Sequence, residues 1–373
     1  MQSICAKRRL RGYAKQSLSS QLPKFLSTAS TLDVFRHSIS KGQRLKTTNL
    51  IAANQSVQHQ AEFATDVLLG LSANPKTISA KYFYDDIGSE LFQKISQHKD
   101  YYLTKTEFAI LETHADSLVE KINENEIDIL ELGAGDGHKS KLIIDSFLKH
   151  GTKVNFYPID ISEKAMGLLA ENLAVSNLLD IHGIVADYFN GLHHLKKISN
   201  NKKLVLFLGS NIGNFNQLQT TEFLKKLWMT LNTGDHVLIG YDLKKDTSIL
   251  NNAYNDSDGL TAAFNLNLLS RINAELGANF DVAKFKHYGF YNPALGAMES
   301  YIVSLEQQLV TISSLEQTIK FEQFEALHLE CSYKFSEAGI NDLAANAGFK
   351  IEQHFSDKQH YFIDSLWQVI KGK

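Results

Sequence analysis

From Gln60 onward the apolar residues follow two rhythms in turn. Spacings of three and four cover residues 63–71, 90–95 and 106–122 and predict an N-terminal helical section. From Ile127 the pattern changes to short apolar runs separated by helical stretches, the signature of βαβ units around a parallel sheet. Residues 127–131, 154–159, 181–186, 204–208 and 237–241 are predicted strands, with helices near 138–149, 163–175 and 217–231. Five such strands in doubly wound order make a nucleotide-binding core up to about Asp242.

Beyond Asp242 the rhythm is mixed. A helix is predicted over 261–276, and the alternating stretches 298–304 and 309–312 read as two paired strands joined through 305–308. The core pattern returns with a helix over 337–347, Gly348 at its C-cap, and strands at 349–355 and 361–370. Residues 243–334 therefore read as an insertion that forms a second domain with 56–105, around a core of 106–242 and 335–373. The run 81–90, rich in aromatics and ending near Gly88, predicts a structured loop. No internal repeat is found.

Composition adds exclusions more than identity. With 43% hydrophobic and 21% charged residues the chain reads as a folded globular protein. A formal charge of −3 gives no basic field to hold nucleic acid or an anionic membrane, so a small-molecule partner is expected. The expected state is a monomer. Cys5 and Cys331 make neither a disulfide framework nor a zinc set, which fits a reducing compartment and no metal. The longest apolar runs fall far short of the roughly 20 residues that cross a bilayer. Before the first acidic residue, Asp33, lie Lys7, Arg8, Arg9, Arg11, Lys15 and Lys24 among many Ser, Ala and Leu. That reads either as a transit peptide or as a disordered extension, so about the first 55 residues are placed outside the fold. The expected location is cytoplasmic, or organellar if the basic segment is a transit peptide.

Candidate chemistry begins where the first predicted strand ends, at Glu131-Leu132-Gly133-Ala134-Gly135-Asp136-Gly137. A glycine turn between strand and helix lets backbone approach a ligand closely, and serves dinucleotides as well as S-adenosylmethionine. Three acids separate these readings. Glu131 suits a cationic amino acid moiety and would repel a pyrophosphate; Asp160 closes the second strand, where a carboxylate accepts both ribose hydroxyls; Asp187 follows the third, placed for an adenine amine, with Tyr188 beside it to stack. A single Asp after a strand more often caps a helix. The three together with the turn point to S-adenosylmethionine, and Lys139, one turn into the helix, is placed to meet that cofactor's carboxylate. Leu206 to Phe215, with Gly209, Ser210, Asn211, Gly213 and Asn214, ends the fourth strand at the ligand crevice of a doubly wound sheet.

At these residues the chain resembles the histidine Nα-methyltransferases of ergothioneine biosynthesis, which form hercynine. The resemblance rests on 81–90 (KYFYDDIGSE), 100–107 (DYYLTKTE), 131–139, 207–215 (FLGSNIGNF), 241–246 (YDLKKD), 253–267 (AYNDSDGLTAAFNLN) and 330–335 (ECSYKF), in order, and covers about residues 60–373. It implies a class I Rossmann-like S-adenosylmethionine methyltransferase core with an inserted α+β substrate-binding domain. It also implies that Gly133, Lys139, Asp160, Asp187 and Tyr188 hold the cofactor, and Gly135 is expected to join them from the same glycine turn. Asn214 and Tyr254 match the residues that take the histidine carboxylate, Tyr84, Tyr101 and Gly209 those around the amino group, and Glu330 and Ser332 those that read the imidazole. Residues at i and i+2 of a strand face one side, so Glu330 and Ser332 can reach one ring.

Two departures stand out. Tyr188 occupies a position where the family commonly has Phe, and Ser300 falls near one that carries a bulkier apolar residue, with Met298 placed to compensate. The implied reaction is three successive transfers to one nitrogen, with Tyr84 accepting a hydrogen bond from the amine. The alternatives are methylation of another amino acid or small amine, a non-catalytic S-adenosylmethionine sensor, and a dinucleotide oxidoreductase, which Glu131 opposes.

Overall fold

The computed structural model describes residues 36–40, 43–51, 55–161, 166, 169, 172–173 and 176–372. The basic stretch up to residue 35 and most of the helix expected near 163–175 lie outside the described residues. Fifteen strands are seen among them: β1 (Arg36–Ser40), β2 (Gln43–Asn49), β3 (Lys76–Thr77), β4 (Glu126–Leu132), β5 (Lys153–Asp160), β6 (Leu179–Val185), β7 (Lys203–Phe207), β8 (His236–Asp242), β9 (Phe285–Asn292), β10 (Ala297–Ser304), β11 (Gln308–Ile312), β12 (Gln317–Phe321), β13 (Ala326–Tyr333), β14 (Phe349–Ser356) and β15 (Phe362–Val369).

Nine of them make one sheet in the order β1-β2-β6-β5-β4-β7-β8-β15-β14. β2 to β8 run parallel within it, and β15 and β14 close it antiparallel. Chain order reverses at β4, which has β5 on one side (Glu131 beside Pro158) and β7 on the other (Glu131 beside Leu206). At such a switch point the loops leaving the strands diverge and open a crevice. Helices cover both faces, so β4, β5, β7 and β8 are buried along nearly their whole length and read as unbroken apolar runs. Trp367, Tyr241, Phe207 and Phe156 are among the fully buried side chains there.

Local chemistry sets the helix ends. Asp85 accepts from the Gly88 amide at 2.6 Å to start Asp86–Gln97, and Asn216 and Gln219 form a reciprocal capping box at the start of Gln217–Thr230. Gly348, at φ 90°, ends Glu337–Ala347 as expected. The helix Tyr188–Ile198, capped by Asp187, was not expected from the apolar spacing.

A second, four-stranded sheet has the order β3-β13-β10-β9. It packs through Ile302, Leu327 and Leu329 on a core with Phe63, Phe264 and Leu268, supplied by the helices Gln55–Ser72 and Leu260–Leu276. Here the expected hairpin of 298–304 with 309–312 is corrected. β10 lies between β9 and β13, so both of its edges are taken, and β11 pairs with β12 instead, around a turn in which Glu316 takes φ 51°. A second difference is at the N-terminus. β2 runs parallel to β6, with Lys46 to Asn49 beside His182 to Val185, which extends the sheet into the stretch placed outside the fold. No helix of the described residues is long and apolar enough to cross a membrane.

Candidate active site

The glycine turn after β4 carries Gly133, Gly135 and Gly137 at φ 74°, 55° and 72°. Side chains rarely adopt these angles, and a β-carbon on Gly133 would come within 3.1 Å of the Tyr188 hydroxyl. Tyr188 therefore leans over the turn from the far side of β5, packed edge-on against Phe207 with ring centres 5.7 Å apart. Asp160, last in β5, lies close enough to raise the Tyr188 pKa, after burial, to about 12. Asp187 caps its helix by accepting from the amides of Phe189 and Asn190, the ordinary role for such an Asp.

Beneath the turn is a cluster of buried acids. Glu131 is 3% exposed, and its Oε2 has no hydrogen-bond partner. Burial pushes its pKa up to about 8, against the Ser140 hydroxyl and Lys139, which pull it down. An orphaned carboxylate oxygen beside a backbone cradle fits a ligand that brings a positive charge and donors, as the amino group and sulfonium of S-adenosylmethionine do. Lys139 does not reach free into this space: its Nζ donates to Glu107 Oε2 at 2.5 Å. Glu107 Oε1 in turn accepts from the Gly209 amide at 2.7 Å. The carboxyl of Asp364 is held well above the usual range, first by burial and then by the charge of Glu107, and neither of its oxygens has a hydrogen-bond partner. Three carboxyls thus share one ammonium, and Glu107 ties the cofactor turn to the loop after β7.

That loop is the floor of a cavity lined by Tyr84, Tyr101, Gly209, Asn214, Tyr254, Glu330 and Ser332, so every residue matched to the acceptor site borders one space. Phe92, Phe264 and Asn265 complete its walls. Gly213 allows the loop to press on β13, because a β-carbon there would lie 2.8 Å from the Tyr333 carbonyl oxygen. Tyr84 is 43% exposed over the whole residue. Its hydroxyl nonetheless lies in the cleft, where burial, Glu330, Tyr188 and Tyr254 hold its pKa above the usual tyrosine range. Ser300 sits directly across from Glu330 between β10 and β13, and Met298, 1% exposed, packs in one cluster with Leu103 and Tyr254.

A second ionic group lies under this cavity. Asp242, fully buried at the end of β8, accepts from the Tyr102 hydroxyl at 2.7 Å, from Lys245, and from Lys334 at 2.8 Å. Lys334 also donates to the hydroxyls of Tyr254 and Ser332, and Tyr254 donates to Ser332 at 2.8 Å. The Tyr254 proton is therefore engaged, and donation to a carboxylate requires that contact to open.

Periodicity and spacing did not single out Glu107, Asp242, Lys334 or Asp364. A signal existed for two of them. Asp242 ends its strand as Asp160 does, and Lys334 stands two residues after Ser332, on the same face. Glu299, His328 and Cys331 bring three possible metal ligands within 4.8 Å of one another, but none lines the cavity, and Asn292 and Tyr301 donate to the two Glu299 oxygens.

Comparison with known proteins bears on the chemistry. The family described as histidine-specific methyltransferase, S-adenosylmethionine-dependent, matches residues 63–369. The chain is 32% identical over 315 residues to a histidine N-alpha-methyltransferase of Mycolicibacterium smegmatis, covering 84% of this chain and 96% of that one. It is 28% identical over 300 residues to the ergothioneine biosynthesis protein 1 of Schizosaccharomyces pombe, covering 77% of this chain and 39% of that one. A 4-dimethylallyltryptophan N-methyltransferase of Aspergillus fumigatus is 23% identical over 305 residues, covering 78% of this chain and 89% of that one.

Proposed function

The chain belongs to the histidine-specific, S-adenosylmethionine-dependent methyltransferases, and from that premise we propose that it methylates the α-amino group of L-histidine, in three transfers, to hercynine. The observation that carries this reading is that Glu330 and Ser332 border the same cavity as Tyr84, Asn214 and Tyr254, at the switch point of the sheet. In this reading residues 106–242 and 335–373 hold the cofactor, and 56–105 with 243–334 hold the acceptor.

The cofactor is held by Glu131 and the Gly133 and Gly135 backbone at its amino acid end, with Lys139 setting the charge there. Asp160 takes the ribose, and Asp187 with Tyr188 takes the adenine. When bound, S-adenosylmethionine supplies an electrophilic methyl group on a sulfonium. The protein's own contribution is placement, which in a direct displacement supplies most of the rate. Asn214, and Tyr254 once released from Ser332, donate to the histidine carboxylate; Glu330 accepts the ring N–H; Tyr101 and Gly209 wall the amine. The phenol of Tyr84, kept protonated by its surroundings, orients the amine by accepting one of its protons in a hydrogen bond. An α-amine titrates within a few units of neutral pH, so its proton leaves to water before the transfer. We place the protein as a monomer in the cytoplasm, or in an organelle if the basic stretch before Asp33 directs it there.

Purified protein given S-adenosylmethionine and an equimolar mixture of the twenty amino acids should yield trimethylated histidine by mass spectrometry, and Glu330→Ala should abolish it. A different methylated amino acid would keep the cofactor site and remove the histidine assignment. Cofactor binding without methylation would leave a sensor.

A further inference from the structure

Lys334 is buried, with no side-chain surface exposed, yet it stands directly behind the acceptor cavity. Its ammonium has three protons and three partners: Asp242 Oδ2 at 2.8 Å, Tyr254 Oη at 2.9 Å and Ser332 Oγ at 2.9 Å. An ammonium donates and never accepts. Both hydroxyl oxygens therefore spend a lone pair on Lys334, and Ser332 spends its second on the Tyr254 proton. The Ser332 proton is left with only the cavity to enter. If the Tyr254–Ser332 contact opens on binding, each hydroxyl has a proton for the cavity and one lone pair left, and the buried ammonium of Lys334 behind both oxygens opposes a second N–H there. In that corner Glu330 is then the acceptor and the hydroxyls are donors.

We propose that Lys334 is a specificity-determining positioning residue: it fixes the Tyr254–Ser332 pair as a hydrogen-bond donor, so that this corner takes a neutral aromatic ring with one N–H and one lone-pair nitrogen. A doubly protonated ring presents two N–H groups, one of which meets a donor with a buried ammonium behind it. That form is turned away. A side chain without an acceptor atom leaves the hydroxyl proton unpaired, which is costly in a buried site. The inference rests on the reading that Glu330 and Ser332 meet the acceptor's ring.

Other charges face this corner. Asp242 and Lys245 lie below Lys334, Glu330 stands on the same strand, and Tyr84, Tyr101 and Tyr254 line the walls. Burial holds the three tyrosines above their usual pKa and lowers Lys245 to about 8. Burial also raises Glu330. A pH effect on histidine alone could therefore come from the protein, and the test must separate protein from substrate.

The experiment compares histidine with 2-fluorohistidine, whose ring the fluorine keeps neutral, from pH 5.5 to 8.5. Protein groups act on both compounds alike, so the ratio of their kcat/KM values isolates the ring. With the wild-type protein the ratio should be flat above pH 7.5 and fall toward about tenfold per unit below the ring pKa of about 6.5. The fall should lie in KM, with kcat little changed. Lys334→Met should raise the histidine KM at pH 8 by about 10- to 100-fold, the effect of a hydrogen bond to a charged group, and flatten the ratio. Its S-adenosylhomocysteine affinity reports an intact fold, and if it fails to fold the wild-type comparison still decides. A ratio that stays flat in the wild type, or a fall carried by kcat, overturns the role of Lys334. Absence of any methylated histidine would overturn the proposed function instead.

Discussion

Two buried ionic groups flank the loop after β7, and their compositions are opposite. Under the cofactor turn, Glu107, Glu131 and Asp364 gather around Lys139; under the acceptor cavity, Lys245 and Lys334 gather around Asp242. The first holds the loop through the Glu107 carboxylate, which accepts from the Gly209 amide, and beside the second the backbone amide of Asp242 donates to the Ser210 hydroxyl. An excess of carboxyl suits a ligand that arrives as a cation, and an excess of ammonium suits one that presents a carboxylate and a lone-pair nitrogen. The pairing teaches that one loop can be shared by two substrates of unlike charge when each side has its own buried counter-charge.

The comparison can be broken most severely at its centres. Asp242→Ala should cost about 3–5 kcal/mol in urea unfolding, because it leaves two ammoniums buried without an anion. Lys139→Met should cost a similar amount at pH 8 but less at pH 5, since a buried carboxylate left without its cation is relieved by a proton and a buried ammonium left without its anion is not. Equal costs at both pH values for the two variants would remove the distinction.

Titration sharpens the contrast. Glu131 is raised from its ordinary 4.5 to about 8, so between those values the folded protein holds a proton that the unfolded chain has lost. Its contribution to stability is full below 4.5 and is lost as pH rises toward about 8. Lys245 is lowered from 10.5 to about 8, so its contribution is present above 10.5 and lost as pH falls through about 8. Glu131→Gln should remove a downward slope of stability below pH 8 and Lys245→Met an upward slope above it, both read from urea midpoints across pH. Smaller in effect, Glu330→Gln should lower kcat/KM for histidine by about 10- to 100-fold. Smallest of all, Tyr188→Phe should shift the S-adenosylhomocysteine Kd by about threefold or less, since the ring is kept; calorimetry measures it.

The larger sheet was legible because strands buried on both faces read as continuous apolar runs, and β4, β5, β7 and β8 lie within a residue or so of their expected places. The smaller sheet was harder. β10 and β11 alternate and are adjacent in sequence, which is the usual mark of a hairpin, yet β9 and β13 compete better for β10. The glycine turn and the residues matched to the acceptor pocket were read from motifs. The ion pairs were not, because Glu107 with Lys139 and Asp242 with Lys334 are joined only by the fold, across 32 residues in the first case. Local periodicity carries no trace of such pairs.

The most direct test of the division between the two sides is calorimetry with S-adenosylhomocysteine, S-adenosylmethionine and histidine on two variants of unchanged circular dichroism. Glu131→Gln should weaken S-adenosylmethionine more than S-adenosylhomocysteine and leave histidine binding to the cofactor-product complex intact, while Glu330→Gln should do the reverse, losing histidine with both cofactor affinities unchanged. If either variant loses both ligands in equal measure, the two buried groups do not serve separate substrates.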